Sequence, residues 1–595
     1  MFSKILFALW VLPIILSGCA SAPEKPPVRI PGDYRYTREY ADWLIRKEMR
    51  SADVQGLSIA LVDDQQVVWA EGFGFADAAK GVAADPATVY PVGSITKLFT
   101  TLSALQLVEQ ERLDIDQPIE QYLPGFSIKR HDAGQEPITP RQLMTHHAGL
   151  PRDIMRGMWT ARPAPFGRIL ELIQDEYLAY PPERLFSYSN LGMTLLGDIV
   201  QTIAKRDFSS QLESGLLHPL GMTDAYIATL SRGSSRDAKG YKKGIEVPIT
   251  PLRDIPAGGL HASVNDLSRF MMMIFADGRA GGRPIVQPET LEEMLRPQNE
   301  AVALDLDFRV GLGWALSGLG QINIRNAGKV AHHNGGTPLF HSQMILLPEH
   351  KLGVVVLSNS AESGPLVERV ASETLKLALE AKTGITQPTR DKPVTKDIAL
   401  PEAMLQDFEG RYTTLLGAVA IRRHAGGLQA EFAGHRFELL PREDGWFGLR
   451  YELLGIIPLS LGELDQYQVR RASIAGREVL IASDGYTRLL IGERLQPHPI
   501  PRAWRQRAGR YEIVNAGQDE LLIDDISLEM KDGLLLLRAR ILDGEISEIV
   551  LQPLSDTQAL LLGPLAGAGE TLEAVQHDGE ELWRYSGYLF KRKVN

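Results

Sequence analysis

Apolar and polar residues alternate in two ways along the first part of the chain. Residues 34–50 repeat with a helical period and predict an amphipathic helix, and residues 94–111 predict a second helix. The stretches GLSIALVD and QVVWAEGFG are joined by Asp-Asp-Gln and predict a β-hairpin. HSQMILLP and LGVVVLSNS, some 280 residues later, predict two more strands. A sheet assembled from both ends of one domain, with helices between, predicts an α/β (α+β) fold over residues 33–383.

The remainder of the chain has the pattern of short strands with turn signals, and it repeats. DFEGRYTT matches QRAGRYEI about 100 residues later, and each unit closes on a Gly-Tyr pair. We therefore expect a linker over residues 384–399 and two small all-β, barrel-like domains at 400–498 and 499–595. Four tyrosines of these units are expected in the barrel cores: Tyr412, Tyr486, Tyr511 and Tyr588.

Composition limits the function classes only loosely. The chain has 595 residues, 44% hydrophobic and 23% charged, with a net charge of −11. This composition is typical of a globular protein of several domains. No Lys/Arg-rich segment stands out, so no nucleic-acid partner is expected. No cofactor and no metal are expected either: HExxH is absent, and a single cysteine gives little support to a zinc site.

The N-terminus has the pattern of a secretory signal. A lysine at position 4 precedes a short apolar run, which ends in Leu-Ser-Gly-Cys at Cys19. This ending resembles the bacterial lipoprotein signal, which implies removal of the preceding residues and a lipid on Cys19. We expect a tether at residues 20–32 and a membrane-anchored protein of the cell envelope. The absence of Asp after the cysteine implies the outer membrane, facing the periplasm.

Ser94 and Lys97 form the only S-x-x-K of the chain. A serine at the start of a helix has a free backbone N–H, which can stabilise an oxyanion. A lysine three residues on lies on the same face. If it is buried it can be neutral and accept the proton of the serine. The alternative, on this pattern alone, is a solvated helix end.

A second candidate group is Tyr188-Ser189-Asn190, the only Y-x-N of the chain. A tyrosine close to an ammonium group can have its pKa lowered enough to act as a base. The asparagine amide can bind a substrate carbonyl or a lysine. The alternative is a packed tyrosine at a helix start, with Ser189 or Asn190 as the cap.

A third candidate group is His333-Asn334-Gly335-Gly336. The pattern H-x-G also occurs at three other histidines, but only His333 comes just before two late strands. Paired glycines allow a substrate backbone to approach closely.

Together and in this order, these motifs resemble those of the penicillin-binding protein and class C β-lactamase superfamily of serine hydrolases. ITPRQLMTHHAGLP, PAGGLHASVNDLSRFM and RVGLGWAL add to the resemblance, which covers residues 33–382. It implies an antiparallel sheet flanked by helices, with a mainly helical lobe and the site between them. The two β-units resemble the lipocalin-like domains that follow some of these hydrolases.

The resemblance also implies roles. Ser94 would be the acylated nucleophile, Lys97 would assist its deprotonation, and Tyr188 would be the general base. Asn190 would contact the substrate carbonyl and Lys97. His333, Gly335 and Gly336 would bind substrate, with the oxyanion held by the N–H of Ser94 and one near Gly336.

His333 departs from the lysine that many relatives have at this position. A histidine is mostly neutral at pH 7, so it attracts a substrate carboxylate less than a lysine does. This favours a peptidase or esterase acting on a small molecule or peptide, such as a D-amino-acid peptide or a carboxylic ester. A true β-lactamase and a non-catalytic, lipid-anchored binding protein remain alternatives. The sequence leaves the oligomeric state open.

Overall fold

The computed structural model describes residues 21–593. The following positions within that range are not described: 132–133, 135, 230–232, 318–321, 389–401, 415–416, 425, 433–434, 443, 454–456, 460–465, 542–543, 545 and 564–566. The predicted signal, Cys19 and most of the predicted linker therefore lie outside the described residues. Within the described residues, no helix combines the length and apolar composition needed to cross a bilayer.

The N-terminal domain runs from the first helix to the eleventh. Its helices are α1 Arg35–Ser51, α2 Thr96–Glu109, α3 Pro140–Thr145, α4 Ile169–Ile173, α5 Asn190–Ala204, α6 Phe208–Leu212, α7 His218–Leu220, α8 Ile255–Gly258, α9 Val264–Phe275, α10 Pro288–Met294 and α11 Gly364–Thr383. Its strands are β1 Gly56–Asp63, β2 Gln66–Asp77, β3 Val82–Ala83, β4 Tyr90–Pro91, β5 Tyr226–Ile227, β6 Gly240–Lys242, β7 Ile245–Val247, β8 Leu260–Ala262, β9 Arg279–Ala280, β10 Arg283–Pro284, β11 Ala331–Gly336, β12 His341–Leu347 and β13 Leu352–Ser358.

One six-stranded sheet organises this domain, in the order β11-β12-β13-β1-β2-β3. The early hairpin and the late strands meet between β1 and β13, antiparallel and in register from Leu57 opposite Ser358. The predicted sheet built from both ends of the domain is confirmed. β1 is apolar on both faces because both faces are covered. Leu57, Ile59 and Leu61 pack under α1 and α11, whereas Ala60 and Val62 face the helical lobe.

Two β-barrels follow. The first has α12 Glu402–Phe408 and β14 Gly410–Thr414, β15 Gly417–His424, β16 Gly427–Phe432, β17 His435–Pro441, β18 Phe447–Leu453, β19 Ile457–Leu459, β20 Gln468–Ile474, β21 Arg477–Ser483 and β22 Arg488–Arg494. The second has α13 Arg502–Gln506 and β23 Gly509–Ile513, β24 Ile523–Lys531, β25 Leu534–Ile541, β26 Ile546–Pro553, β27 Gln558–Leu562, β28 Thr571–His577, β29 Glu580–Tyr585 and β30 Tyr588–Arg592.

Both barrels are closed rings of eight antiparallel strands, as the repeated β-units predict. In the first barrel the pairing of β17 with β18 closes the ring, and β19 extends it as a short hairpin. In the second barrel β23 pairs with β30. Tyr412, Tyr511 and Tyr588 are buried, as expected. The expectation for Tyr486 is wrong: it is 55% exposed, on a turn, with the Arg325 guanidinium 4.0 Å from its ring centre.

The segment predicted as a tether contacts the N-terminal domain where it is described. Lys25 forms an ion pair with Glu380 at 2.6 Å, and Arg29 donates to the carbonyl of Ala381 at 3.1 Å. Both partners lie near the end of α11. The segment that precedes the domain therefore lies beside α11, on the sheet face opposite the helical lobe.

Candidate active site

Ser94 lies in a single 3-10 turn, Gly93–Ile95, that leads directly into α2. Gly93 has a φ of +53°, and a side chain there would begin 2.8 Å from the backbone nitrogen of Gly336. Only glycine satisfies both conditions. The small residue thus lets the turn lie against β11, the edge strand of the sheet. Ser94 therefore lies between the start of a helix and an edge strand, as an oxyanion site requires.

Lys97 is fully buried one turn further along α2. Its Nζ donates to Ser94 Oγ at 3.0 Å and to the carbonyl of Ala257 at 2.7 Å. Burial lowers the pKa of Lys97 to about 7, although the nearby carboxyl groups of Asp153 and Asp254 oppose that shift. Near neutral pH a large fraction of this lysine is uncharged and can accept a proton.

Tyr188 comes just before α5, whose N-cap is Ser189. The Ser189 hydroxyl accepts from the N–H of Gly192 at 2.9 Å. Tyr188 forms a hydrogen bond with Ser94, and burial raises the pKa of Tyr188 to about 12. The expected lowering of this pKa is therefore wrong. The reason is that desolvation by burial outweighs the hydrogen bond with Ser94 and the charge of Arg152, which both act to lower this pKa.

Asn190 is the first residue of α5 and lines the cleft. Its amide donates to Asp153 Oδ1 at 2.8 Å. The contact between Asn190 and Lys97 that the family resemblance implies is absent from the hydrogen bonds of the described residues. The two side chains are linked indirectly, because the Asp153 carboxyl that accepts from Asn190 also acts electrostatically on Lys97.

The residues of β11 divide between cleft and interior, because side chains of a strand alternate. Asn334 and Gly336 line the cleft, whereas His333 and Gly335 face inward. His333 and Gly335 are thus not among the residues that line the cleft, and their contact with substrate stays a prediction. At Gly335 a side chain would begin 2.0 Å from the carbonyl oxygen of Val92, so this glycine serves close packing of the strand.

His333 is 7% exposed and lies beside Tyr188, with 6.3 Å between the ring centres. Its Nδ1 is 2.6 Å from the carbonyl of Asn334. A carbonyl only accepts, so Nδ1 carries the proton. Burial first, and then the charge of Lys97, lower the pKa of His333 to about 3. His333 is therefore neutral across the physiological range.

His146 is a site residue that sequence reasoning did not identify. Its ring centre lies 4.3 Å from that of Tyr188, and its Nδ1 accepts from the N–H of Ser189 at 3.1 Å. Burial lowers its pKa well below the usual range. Two neutral imidazoles, His146 and His333, thus pack around Tyr188. In the sequence, the stretch THHAGLP contains two adjacent histidines, His146 and His147. Nothing in that stretch indicates which of the two lies at the site.

The charges at the cleft are paired. Arg152 lies 5.3 Å over the Tyr188 ring and 3.3 Å from Asp153. Arg253 and Asp254 form a buried ion pair at 2.6 Å. The same guanidinium donates to the carbonyls of Ile154 and Arg156, which fixes the loop between α3 and α4. No cation lining the cleft is left unpaired among the described residues.

The cleft has a volume of about 340 Å³ and contains Ser94, Tyr188, Asn190 and Gly336 in its lining. Two further cavities adjoin it, of about 550 and 430 Å³, and Trp159 and Thr337 line all three. Within the described ranges, no group of three or more His, Cys, Asp or Glu side chains is placed to hold a metal ion.

Comparison with known proteins agrees with this fold. Residues 41–378 match the family model described as Beta-lactamase. "Protein flp" of Staphylococcus aureus is 26% identical over 329 residues, 54% of this chain and 63% of flp. The chain thus spans less than two thirds of the length of this relative.

Two solved structures are similar in fold. The octameric penicillin-binding protein homologue from Pyrococcus abyssi has a TM-score of 0.52 and 24% identity, over 76% of this chain and 99% of that one. SurE has a TM-score of 0.54 and 22% identity, over 77% of this chain and 99% of that one.

Fold and site together define a β-lactamase/transpeptidase-like protein of the serine hydrolase superfamily. The chain belongs to the Beta-lactamase family, by a match that covers more than half of its length.

Proposed function

We propose that this protein hydrolyses a carboxylic ester or an amide through an acyl-enzyme on Ser94. The observation that carries the proposal is the contact between Ser94 Oγ and the buried Lys97 amine, at 3.0 Å and with a pKa of about 7. A nucleophile and a base within hydrogen-bonding reach, at a helix start, form the arrangement that acyl transfer needs.

In the proposed acylation step, Lys97 Nζ takes the proton of Ser94 as Oγ bonds to the substrate carbonyl carbon. The backbone N–H of Ser94, with one from the neighbouring edge strand, stabilises the oxyanion. As the bond to the leaving group breaks, the Tyr188 hydroxyl gives that group a proton, and Lys97 returns one to Tyr188. Water then attacks the acyl carbon. Its proton passes back through the same groups, and the acid and free Ser94 are released.

Lys97 is the better candidate for the first proton transfer. A general base is most effective when its pKa lies near the working pH. The Lys97 amine meets that condition, whereas the pKa of Tyr188, at about 12, keeps the phenol protonated. Tyr188 therefore suits the role of proton donor to the leaving group.

The charges of the cleft favour a neutral substrate. His333 has a pKa of about 3 and Arg152 is paired with Asp153, so neither supplies a free cation for a carboxylate. A carboxylic ester or a neutral peptide fits this site better than a β-lactam, which carries a carboxylate. We also propose, from the Leu-Ser-Gly-Cys signal, that a lipid on Cys19 holds the enzyme at the cell envelope.

The test compares the full-length native protein with its Ser94→Ala variant, both in covalent labelling and in ester turnover. Ser103→Ala is the matched control. Ser103 lies on the same helix, is buried, and its hydroxyl has no hydrogen-bond partner among the described residues. Intact-mass spectrometry after treatment with a fluorophosphonate should show one adduct in the native protein and in Ser103→Ala.

Ser94→Ala should show no adduct and should lose at least about 10³-fold in the rate of p-nitrophenyl butyrate hydrolysis. An adduct or full turnover in Ser94→Ala would refute the nucleophile assignment. No reaction in any of the three proteins would favour the non-catalytic binding protein.

A further inference from the structure

The second barrel lies end-on against the cleft. The connections that follow β23, β27 and β29 share one end of the barrel, and each contacts the loop that carries Arg152. Asp519 Oδ2 accepts from the N–H of Gly157 at 2.7 Å, and Glu570 Oε1 accepts from that of Arg152 at 2.7 Å. Ser586 Oγ donates to the carbonyl of Asp153 at 2.9 Å. The cleft loop is therefore held directly by this barrel end.

The lumen of the barrel continues from the cleft. One cavity of about 430 Å³ is lined on one side by cleft residues, among them Asn190, Gly336 and Trp159. On the other side it is lined by inward-facing barrel side chains: Ile526, Leu537, Ala539, Ile549, Leu561 and Leu572. Its size is within the usual range of small-molecule sites, roughly 300–1,000 Å³.

The far end of the lumen is closed. Trp504 of α13 is fully buried there, and its indole N–H donates to the carbonyl of Ser555 at 2.7 Å. The rings of Tyr511 and Trp583 stack with their centres 3.4 Å apart and fill the barrel below the cavity. The lumen is thus a blind, apolar channel whose open end adjoins the cleft that contains Ser94.

Apart from the indole of Trp583, the polar side chains among the described residues that line this cavity lie at its cleft end. Glu570 and Tyr585 are hydrogen-bonded to each other there, close to Asp153 and Arg152. Such an apolar cavity is a poor site for water and a good one for hydrocarbon. A ligand that fills cleft and lumen together would have a polar reactive group at one end and an apolar chain at the other.

We propose that the second barrel holds an unbranched hydrocarbon chain of the substrate, so that the substrate class is a long-chain ester or amide. This inference rests on the proposed function for its reaction, but not for its binding site. The chain could belong to the acyl group or to the leaving group, since both have the same chemistry toward the lumen. The experiments below separate the two.

A rival place for the chain is the cavity of about 550 Å³ on the other flank of the cleft, lined by Phe166, Phe208 and Phe340 among others. We favour the lumen as the place for the hydrocarbon chain because it is closed at its far end. In addition, its barrel is hydrogen-bonded to the cleft loop. Ala539→Trp distinguishes the two places, since it fills the lumen and leaves the other cavity intact.

The matched control is Ile546→Trp. Position 546 is opposite Arg540 on the neighbouring strand, faces outward and is 37% exposed. Both variants place a tryptophan in the same strand pair, one inside the barrel and one outside. Ala539→Leu is a milder version in case the larger substitution prevents folding.

The first experiment measures kcat/KM of the full-length protein on p-nitrophenyl acetate, butyrate, octanoate and laurate. We expect kcat/KM to rise with chain length by up to about fourfold per methylene until the lumen is full. Ala539→Trp should keep acetate hydrolysis and lose at least about tenfold on octanoate, whereas Ile546→Trp should match the native protein. An unchanged preference for octanoate in Ala539→Trp would overturn the proposal. Comparing ethyl laurate with dodecyl acetate then shows which end of the substrate carries the chain.

The second experiment removes catalysis. Binding of 1-decanol, a neutral molecule with an unbranched chain, is measured calorimetrically to Ser94→Ala, and again after adding Ala539→Trp or Ile546→Trp to it. Binding that only Ala539→Trp abolishes supports the lumen site, even if the proposed hydrolysis fails. Ser94-dependent hydrolysis with no 1-decanol binding and no chain-length preference would leave the proposed function standing and refute the lumen site.

Discussion

The two barrels have the same construction and different positions. Each begins with a short helix and a Gly-Arg-Tyr strand. In each the tyrosine hydroxyl donates to the carbonyl four residues earlier, Tyr412 to Phe408 at 2.9 Å and Tyr511 to Arg507 at 2.6 Å. The first barrel nevertheless supplies no lining residue to the cleft or its two flanking cavities, in the part of the chain that the structure describes.

The difference lies in which surface each barrel presents. The first barrel is attached side-on, by Arg488 to Asp307 at 2.7 Å and by Val479 and Ile481 packing on Leu304. The second presents an open end to the cleft loop. The same repeated unit therefore serves as a lateral support in one copy, whereas in the other it lines a cavity that adjoins the cleft.

The largest loss of activity should come from a substitution in the N-terminal domain. That loss should not depend on whether the substrate is long enough to reach a barrel. Lys97→Arg should lower kcat/KM at least about 10³-fold on short and long esters alike, because a guanidinium stays charged and cannot accept the serine proton. Lys47→Arg, at an exposed position on α1, is the control. A Lys97→Arg enzyme that still hydrolyses long-chain esters would place the base elsewhere.

The pH dependence of kcat/KM in the native protein also tests whether Lys97 is the base. The pKa of Lys97 is lowered to about 7, so the amine is protonated and inactive as a base below that pH. We expect kcat/KM to rise as the pH increases through about 7 and to level off above it. A profile that is flat from pH 6 to 8 would contradict the assignment.

A smaller loss of activity should distinguish the role of the second barrel from that of the first. Asp519 of the second barrel accepts from Gly157 at 2.7 Å and from the Tyr588 hydroxyl at 3.0 Å, so Asp519→Ala loosens the cleft loop. We expect about a tenfold loss of kcat/KM on long-chain esters, because the half-buried N–H of Gly157 loses its acceptor. The matched variant in the first barrel interface, Asp307→Ala, should lower the melting temperature and change kcat/KM less than about twofold. Equal kinetic effects of the two variants would remove the distinction between the barrels.

The smallest kinetic effect should come from Cys19→Ser. If Cys19 carries the lipid, this variant should move from the membrane fraction to the soluble fraction of the envelope. Its kcat/KM on a water-soluble ester should be unchanged, since cleft and barrels are intact. Retention of the variant in the membrane fraction would mean that another part of the chain provides the anchor.

Local sequence was sufficient for much of the fold. The capping box of Ser263 and Asp266 at the start of α9, the hairpin of β1 and β2, and the two Gly-Arg-Tyr units are short-range patterns, and all of them are formed. The spacing of Ser94 and Lys97 likewise brings the two side chains together, because residues three apart share a helix face.

The remaining features depend on contacts between distant segments. The inward orientation of His333 follows from the register of β11 on β12, which the motif alone does not fix. The raised pKa of Tyr188 follows from burial, and burial is a property of the whole lobe. The contact of the second barrel with the cleft loop depends on how the domains dock, and residues 152–160 contain no sequence pattern that indicated it.

The central sheet has a consequence for how the chain is made. β1 pairs with β13, so Leu57 cannot form its strand pairing until Ser358 has been synthesised. Each barrel, in contrast, closes within a span of fewer than about 100 residues. Domains fold as units and N-terminal ones first, but this domain cannot complete its sheet early. Until β13 arrives, β1 keeps one unpaired apolar edge, and such an edge is a template for aggregation. Chains that stop before residue 352 should accumulate as aggregates rather than as a partly active fragment.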